Sequence, residues 1–366
     1  MMDDHIDPWG SLQVEDYDAT MEEFGIEPFD DVKAELPVQN RLTRRDIIYG
    51  HRDFDRILDA VQDGEPWAMM TGLMPSGQFH FGHKILADQF TWYQELGAEL
   101  FIAVADIEAY LTREMPLERA RELAIEQYLV NYIALGLEPE NVTFYFQSDG
   151  STHFHTMSKL FARNVTQNEV EAVYGDITPE KLTAALTQVA DILQPEFAEH
   201  GGPKPVVVPV GTDQDPHIRL ARDIADRFQG QDFIKPSSTY HKFMRGLQGG
   251  KMSSSDPNSY IALSEDPEEA CDKIDRAKTG GKQSKEAQRK HGADIEEDTV
   301  FELLAFHLID DDDRLRDIHR RYDSGEMLSG ELKEIAKEEL RAFLEEHQAK
   351  RAAAKDQVDE FLQTTQ

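Results

Sequence analysis

Cysteine is almost missing: Cys271 is the only one in 366 residues. A single thiol excludes an internal disulfide framework and a cysteine-cluster metal site. Long apolar runs are missing as well. No stretch approaches the roughly 20 apolar residues that a membrane-spanning helix needs. The start, MMDDHIDPWG, has neither the basic nor the apolar region of a secretory signal. Positive charge is scarce: 38 Lys and Arg face 71 Asp and Glu, a formal net charge of −33. Proteins that bind DNA usually present a basic face, so a uniformly anionic chain argues against DNA as a partner. These absences point to a cytoplasmic protein with no membrane or DNA partner.

What is present suffices for folding. Hydrophobic residues make up 40% of the chain and aromatics are spread throughout, so a core can be buried and disorder is not the reading. The surplus acid suggests life in concentrated salt. There the Debye length falls to about 3 Å and self-repulsion is largely screened.

Three regions succeed one another. Residues 1–62 form an acidic N-terminal extension, in which Leu42, Ile47, Ile48, Phe54, Ile57, Leu58 and Val61 fall at helical or near-helical spacing. Asp63-Gly64-Glu65-Pro66 is a turn. Between 63 and 264, short apolar runs at 67–70, 100–105, 142–146 and 206–210 read as buried strands. Between them lie helical stripes such as Ile85, Leu86, Phe90, Tyr93 and Leu96. Strands alternating with helices imply an α/β fold with a doubly wound parallel sheet, with an inserted helical region at about 113–200. Residues 265–366 show no strand pattern and read as an all-helical domain. Within them the Gly-containing stretch 279–284 reads as a mobile loop.

Two segments carry phosphate chemistry. In Thr71-Gly72-Leu73-Met74-Pro75-Ser76-Gly77-Gln78-Phe79-His80-Phe81-Gly82-His83-Lys84 a strand ends, a Pro/Ser/Gly loop follows and a helix starts near His80. Unpaired N–H groups and the positive dipole end of a helix suit phosphate there. His80 and His83 put two imidazoles on one turn, and Gly82 allows close approach to the backbone. A lone His is usually a satisfied or exposed side chain; His-x-Gly-His after strand and loop is far more specific. The second segment, Gly249-Gly250-Lys251-Met252-Ser253-Ser254-Ser255-Asp256-Pro257, offers an ammonium and hydroxyls on a flexible loop able to close over a triphosphate. Alone it reads equally as a plain solvent loop, since Gly/Ser loops with a Lys are common. Its position after the His pair, across the sheet pattern, favours function.

Together these segments resemble the His-Ile-Gly-His and Lys-Met-Ser-Lys-Ser signatures of class I aminoacyl-tRNA synthetases, with Ser254 where the second commonly has Lys. Gly211-Thr212-Asp213-Gln214-Asp215-Pro216-His217, Lys251 to Ser259, Ile6-Asp7-Pro8-Trp9 and Asp311-Asp312-Asp313 followed by Ser324 to Lys333 are similar to the tryptophanyl branch of archaea and eukaryotes. The resemblance runs from about residue 5 to 350 and is weakest between about 150 and 185. It implies a Rossmann-like catalytic domain, a helical anticodon-binding domain, a homodimer, and tRNA(Trp), ATP and L-tryptophan as partners. The implied reaction joins the tryptophan carboxylate to the α-phosphorus, releases pyrophosphate, and passes the aminoacyl group to tRNA. Phosphoryl transfer needs positioning and charge stabilisation more than a protein base. His80, His83, Lys251, Ser253 and Ser254 are the candidates for that work. Pro75, Ser76, Gly82 and Met252 are candidates for holding the nucleotide, with Mg²⁺ carried mainly by phosphates and no protein metal site.

The amino-acid pocket needs an acceptor for the indole N–H. Asp191, in the apolar run Leu186 to Leu193, is the candidate; the plain alternative is a surface residue of an amphipathic helix. Met70, Gly72, Glu108, Gln188 and Gln214 complete the set, Glu108 and Gln214 matching family positions that face the α-ammonium. Two departures stand out. The archaeal and eukaryotic branch reads indole with a Tyr and a Gln at the positions of Met70 and Ala103. Asp191 by itself fits a tyrosine-specific enzyme too, and a non-catalytic tRNA-binding paralogue is a third reading. For tRNA, the local cations Arg41, Arg44, Arg45, Arg320, Arg321, Lys350, Arg351 and Lys355 are candidates beside the plain reading of solvated faces.

Overall fold

The computed structural model describes residues 17–250, 252 and 256–363. Seven strands make one sheet: β1 (Glu27–Pro28), β2 (Ile48–Arg52), β3 (Ala68–Leu73), β4 (Glu99–Val104), β5 (Val142–Phe146), β6 (Val206–Val210) and β7 (Ser237–His241). Their order is β1-β2-β7-β6-β3-β4-β5. The five strands from β7 to β5 are parallel, while β1 and β2 extend the edge antiparallel. Alternate residues face opposite sides of a strand. Met69, Leu100, Ile102 and Phe144 therefore enter one core, and Met70, Phe101, Ala103 and Tyr145 enter the other. Helices cover both faces, as a parallel sheet requires.

The edge differs from the sequence expectation. Residues 41–61 are not one helical region: short helix Arg41–Arg44 leads into β2, and helix Asp55–Asp63 comes after it. The apolar positions on either side merged into one period because β2 is only five residues long. Strand β7 was invisible because it is polar, Ser-Ser-Thr-Tyr-His. It is nevertheless buried, since its hydroxyls are paired: Thr239 Oγ1 with Tyr93 Oη at 2.8 Å, and Ser237 Oγ with the Asp53 carbonyl at 2.6 Å. The N-terminal extension thus contributes strands to the sheet. The helical stretch at 113–200 is likewise interrupted by β5.

Helices α1 (Phe81–Glu95), α2 (Asp106–Arg113), α3 (Pro179–Leu193), α4 (Asp215–Arg227) and α5 (Ser329–Ala354) position the site and the helical region behind it. Among the described residues no strand follows His241, and no helix is long and apolar enough to cross a membrane. Helix α5 buries Leu332, Ala336, Leu340 and Leu344, every fourth residue, in the same core as Phe90 and Ile102. The 279–284 loop is fastened at its centre: Gly280 N–H donates to Asp298 at 2.8 Å, and the Asp294 N–H donates to the Gly280 carbonyl. A Cβ on Gly280 would lie 1.7 Å from the Asp294 oxygen.

A cluster of charges ties α1 to both ends of the chain. Lys84 Nζ donates to both Asp88 oxygens at 2.7 and 2.8 Å, and Arg41 donates to Asp88 at 2.7 Å. His307 of the helical region lies 3.8 Å from Asp88. Arg44 and Arg45 both bind Asp312 at 2.7 Å. Burial alone would raise the Asp88 carboxyl, but Lys84 and Arg41 hold it well below the usual carboxylate range. Its stabilisation is present above the unfolded value of about 3.9 and is lost as pH falls through the lower folded value. Asp88→Asn should lower unfolding free energy at pH 7 by about 2–3 kcal/mol, somewhat under a fully buried pair. The loss should shrink in urea titrations below about pH 4.

Candidate active site

The cleft opens where two parallel strands part. β3 pairs with β6 only at Ala68–Val206 and Met69–Val207. Beyond that point Met70 to Leu73 and Val208 to Val210 diverge and line a cavity of about 460 Å³. The chain order reverses at this gap, β4 and β5 lying on one side and β7 on the other. Open α/β sheets bind ligands at such a switch point. Gly72 faces the opening, with nothing within 4 Å of where a Cβ would project.

The histidine pair sits at the start of α1. His80 is its N-cap, with an extended φ of −129°. Its Nδ1 accepts the Gly82 N–H at 3.1 Å, while His83 Nδ1 accepts the His80 N–H at 3.2 Å. A backbone N–H can only donate, so both Nδ1 atoms are unprotonated and each neutral ring carries its proton on Nε2. The rings lie 3.8 Å apart, His80 near Tyr260 and His83 near Phe79 and Tyr128. Burial lowers His80 to about 4, and burial followed by His80 lowers His83 well below its ordinary value. Two neutral N–H donors thus stand at the positive end of a helix dipole, suited to phosphate oxygens. Gly82 makes this possible: a Cβ there would lie 2.9 Å from His80 Cε1 and 3.2 Å from Met252 Sδ. Met252 therefore ties the second motif to the first.

The opposite wall holds Asp191. It is buried on α3 and accepts Tyr145 Oη at 2.7 Å on one oxygen and Gln147 Nε2 at 2.6 Å on the other. Burial raises its carboxyl to about 7, the two donors lower it, and Glu108 and Asp106 raise it. Glu108, also buried, accepts from Gln188 Nε2. Asp106 accepts the Ser148 N–H at 3.0 Å and the Ser148 hydroxyl, which anchors the turn carrying Gln147.

Of the sequence candidates, Met70, Gly72, Ser76, Gly82, His83, Glu108, Gln188, Asp191 and Gln214 line this one cleft. His80 stacks on His83 at its edge. Pro75 is buried in the loop, and the Ser76 N–H donates to Tyr128 Oη at 3.3 Å. Lys251, Ser253 and Ser254 lie outside the described residues, as does Ile6 to Trp9. Sequence reasoning did not single out four cleft residues: Tyr145 read as strand interior and Tyr128 as a helical core stripe, Gln147 was not read, and His217 stood only within the Gly211 to His217 segment. The polar Gln147 closing an apolar strand was the available signal. Asp215, within the Asp-Gln-Asp-Pro block, is fully buried and paired with Arg52 at 3.0 Å, a structural task. The proposed tRNA cations Arg41, Arg44 and Arg45 are engaged in the ion pairs with Asp88 and Asp312. Arg320 and Arg321 pair with Asp317 and Glu326.

A family model described as tRNA synthetases class I (W and Y) matches residues 62–345. The chain belongs to this family. The tryptophan–tRNA ligase of Aeropyrum pernix is 47% identical over 97% of both chains. That of Methanocaldococcus jannaschii is 44% identical, again over 97% of both. The crystal structure of the Aeropyrum pernix K1 tryptophanyl-tRNA synthetase superposes with a TM-score of 0.91 at 46% identity, covering 97% of this chain and 98% of that one. An Encephalitozoon cuniculi tryptophanyl-tRNA synthetase bound to tryptophan matches with a TM-score of 0.82 at 27% identity, covering 94% and 99%. In this synthetase the C2–H proton resonance of His80, assigned by its loss in His80→Asn, should titrate near pH 4. A midpoint near the ordinary 6.5 would contradict the buried, neutral pair.

Proposed function

We propose that this synthetase is a tryptophan–tRNA ligase. It forms tryptophanyl-adenylate from tryptophan and ATP and transfers the aminoacyl group to the terminal adenosine of tRNA(Trp). The observation that carries this reading is one cleft with two neutral imidazole donors at a helix start on one wall and a buried carboxylate acceptor on the other. The names of relatives up to 47% identical over nearly the whole chain support it. The catalytic domain is assigned to residues 63–264 and the anticodon-binding domain to 265–366.

In this mechanism a tryptophan carboxylate oxygen attacks the α-phosphorus while the bond to pyrophosphate breaks. The Nε2–H groups of His80 and His83 donate to phosphate oxygens as charge moves onto them. Lys251, Ser253 and Ser254 approach from the second motif, and Pro75, Ser76, Gly82 and Met252 shape the nucleotide's bed. Mg²⁺, when bound with ATP, would supply further charge neutralisation. Glu108, Gln188 and Gln214 receive the α-ammonium, and Met70 packs against the indole. Asp191 accepts the indole N–H. With Tyr145 and Gln147 each occupying one lone pair per oxygen, the ionised carboxylate is the stronger acceptor for it.

For tRNA, the observation that counts is a run of charge against the trend of the chain. From Arg276 to His291 there are six Lys or Arg and one acidic residue, Glu286. Lys282, Lys285 and Lys290 are exposed. We assign this surface a share of the phosphate contacts in a cytoplasmic, homodimeric enzyme suited to concentrated salt.

Pyrophosphate–ATP exchange tests the reading. Exchange should depend on tryptophan, and tyrosine alone as the active substrate would overturn it. Asp191→Ala should cut tryptophan-dependent kcat/KM by about 5–150-fold, from about 1–3 kcal/mol for an unmet buried partner. Near-normal kinetics would remove Asp191 from the indole site.

A further inference from the structure

The pocket contains a tyrosine that serves the proposed reaction only as a neighbour of Asp191. Tyr145 is buried on β5, and its hydroxyl donates to Asp191 at 2.7 Å. Strand register places it in one cross-strand row, Gly72 beside Ala103 and Ala103 beside Tyr145. Gly72 opens on the cleft, and Ala103 has only a methyl between them. A Gln at position 103 would fill the space beside the Tyr145 ring, on the face the two residues share. Met70, on the same face of β3, brings no hydrogen-bonding group of ordinary strength. The row therefore has one polar tip, the Tyr145 hydroxyl, and it points to the carboxylate.

We propose that Tyr145 is a specificity-positioning residue, whose hydroxyl orients Asp191 and keeps it an acceptor for the indole N–H. The inference rests on the assignment of Asp191 to the indole. Two points support it beyond proximity. First, the hydroxyl and the Gln147 amide take different oxygens of Asp191, so together they fix the plane of the carboxylate. Second, the setting is otherwise hostile to charge. Glu108 and Asp106 face Asp191 from α2 and both raise its carboxyl. Gln188 shares its helix, while Arg113 and, from α4, His217 line the same cleft, His217 lowered to about 3 by burial and so neutral. A donor to the ionised form lowers a carboxyl, so removing the Tyr145 hydroxyl must raise that of Asp191 further. Tyr145 itself, raised well above its ordinary value by burial and by Asp191, stays a neutral donor.

Tyr145→Phe keeps the ring and deletes the hydroxyl. KM for tryptophan in pyrophosphate–ATP exchange should rise about tenfold at pH 7, with kcat within about twofold, as for one lost hydrogen bond. The pH at which KM begins to climb on acidification should move upward in the variant. The gap between variant and parent should narrow toward pH 9, where Asp191 is ionised in both and only the lost orientation separates them. A rise in KM that is equal at every pH reports only looser packing and overturns the proposal, as does an unchanged KM with an unchanged pH midpoint. Asp191→Ala, which removes every acceptor oxygen, separates the two readings in parallel. If it leaves tryptophan KM untouched, the indole assignment itself fails; if it raises KM while Tyr145→Phe does nothing, only the role of Tyr145 fails. A thermal melt confirms that the Phe variant is folded before either conclusion is drawn.

Discussion

A carboxylate buried in an apolar wall governs the layout of this pocket. Asp191 is 3% exposed, with Glu108 and Asp106 adding negative charge nearby. Burying such a group without partners costs several kcal/mol. Its two hydrogen-bond donors come from one place: Tyr145 at the end of β5 and Gln147 in the turn after it. Ser148, held on Asp106, anchors that turn. The requirement therefore reaches across α3, β5 and α2, and it leaves one direction open, toward the cleft. The same logic runs through the histidine pair. Each imidazole accepts a backbone N–H of the first turn of α1, so each presents an N–H outward.

The architecture delivers both walls to one point. β3 and β6 pair for only two residues and then part, so the gap forms at the carboxyl ends of the parallel strands. α1 begins beside β3 and supplies the His pair, and α3 crosses the opposite face and supplies Asp191. The charge cluster pairs Lys84 and Asp88, on the early turns of α1, with Arg41 of the short helix before β2. It joins the N-terminal end of that helix to the segment leading into β2 and to the helical region at His307.

Much of this was legible in the sequence. Strands β3, β4, β5 and β6 were legible because they are continuous apolar runs, and the His pair because two imidazoles around a glycine have few structural excuses. β2 and β7 were not. β7 is a polar strand whose burial depends on Tyr93 and Asp53, residues far away in the chain. Arg41, Arg44 and Arg45 read as solvent-facing or RNA-facing cations because their partners, Asp88 and Asp312, lie 47 and about 268 residues away. Tyr145 looked like core for the same reason: its hydroxyl's partner is 46 positions distant. Local pattern reports which face of an element is apolar, whereas long-range polar pairing emerges only once the chain is folded. The roles of Lys251, Ser253 and Ser254 rest on the motif alone.

The central claim is that a buried acceptor at Asp191 reads the indole N–H. Calorimetric titration with tryptophan and with its benzothienyl analogue, which carries sulfur in place of the N–H, tests it most directly. The two ligands have nearly the same shape. Affinity should fall about 5–150-fold for the sulfur compound, the consequence of about 1–3 kcal/mol for an acceptor left unmet. Equal affinities would show that the ring is chosen by shape alone and would contradict this account.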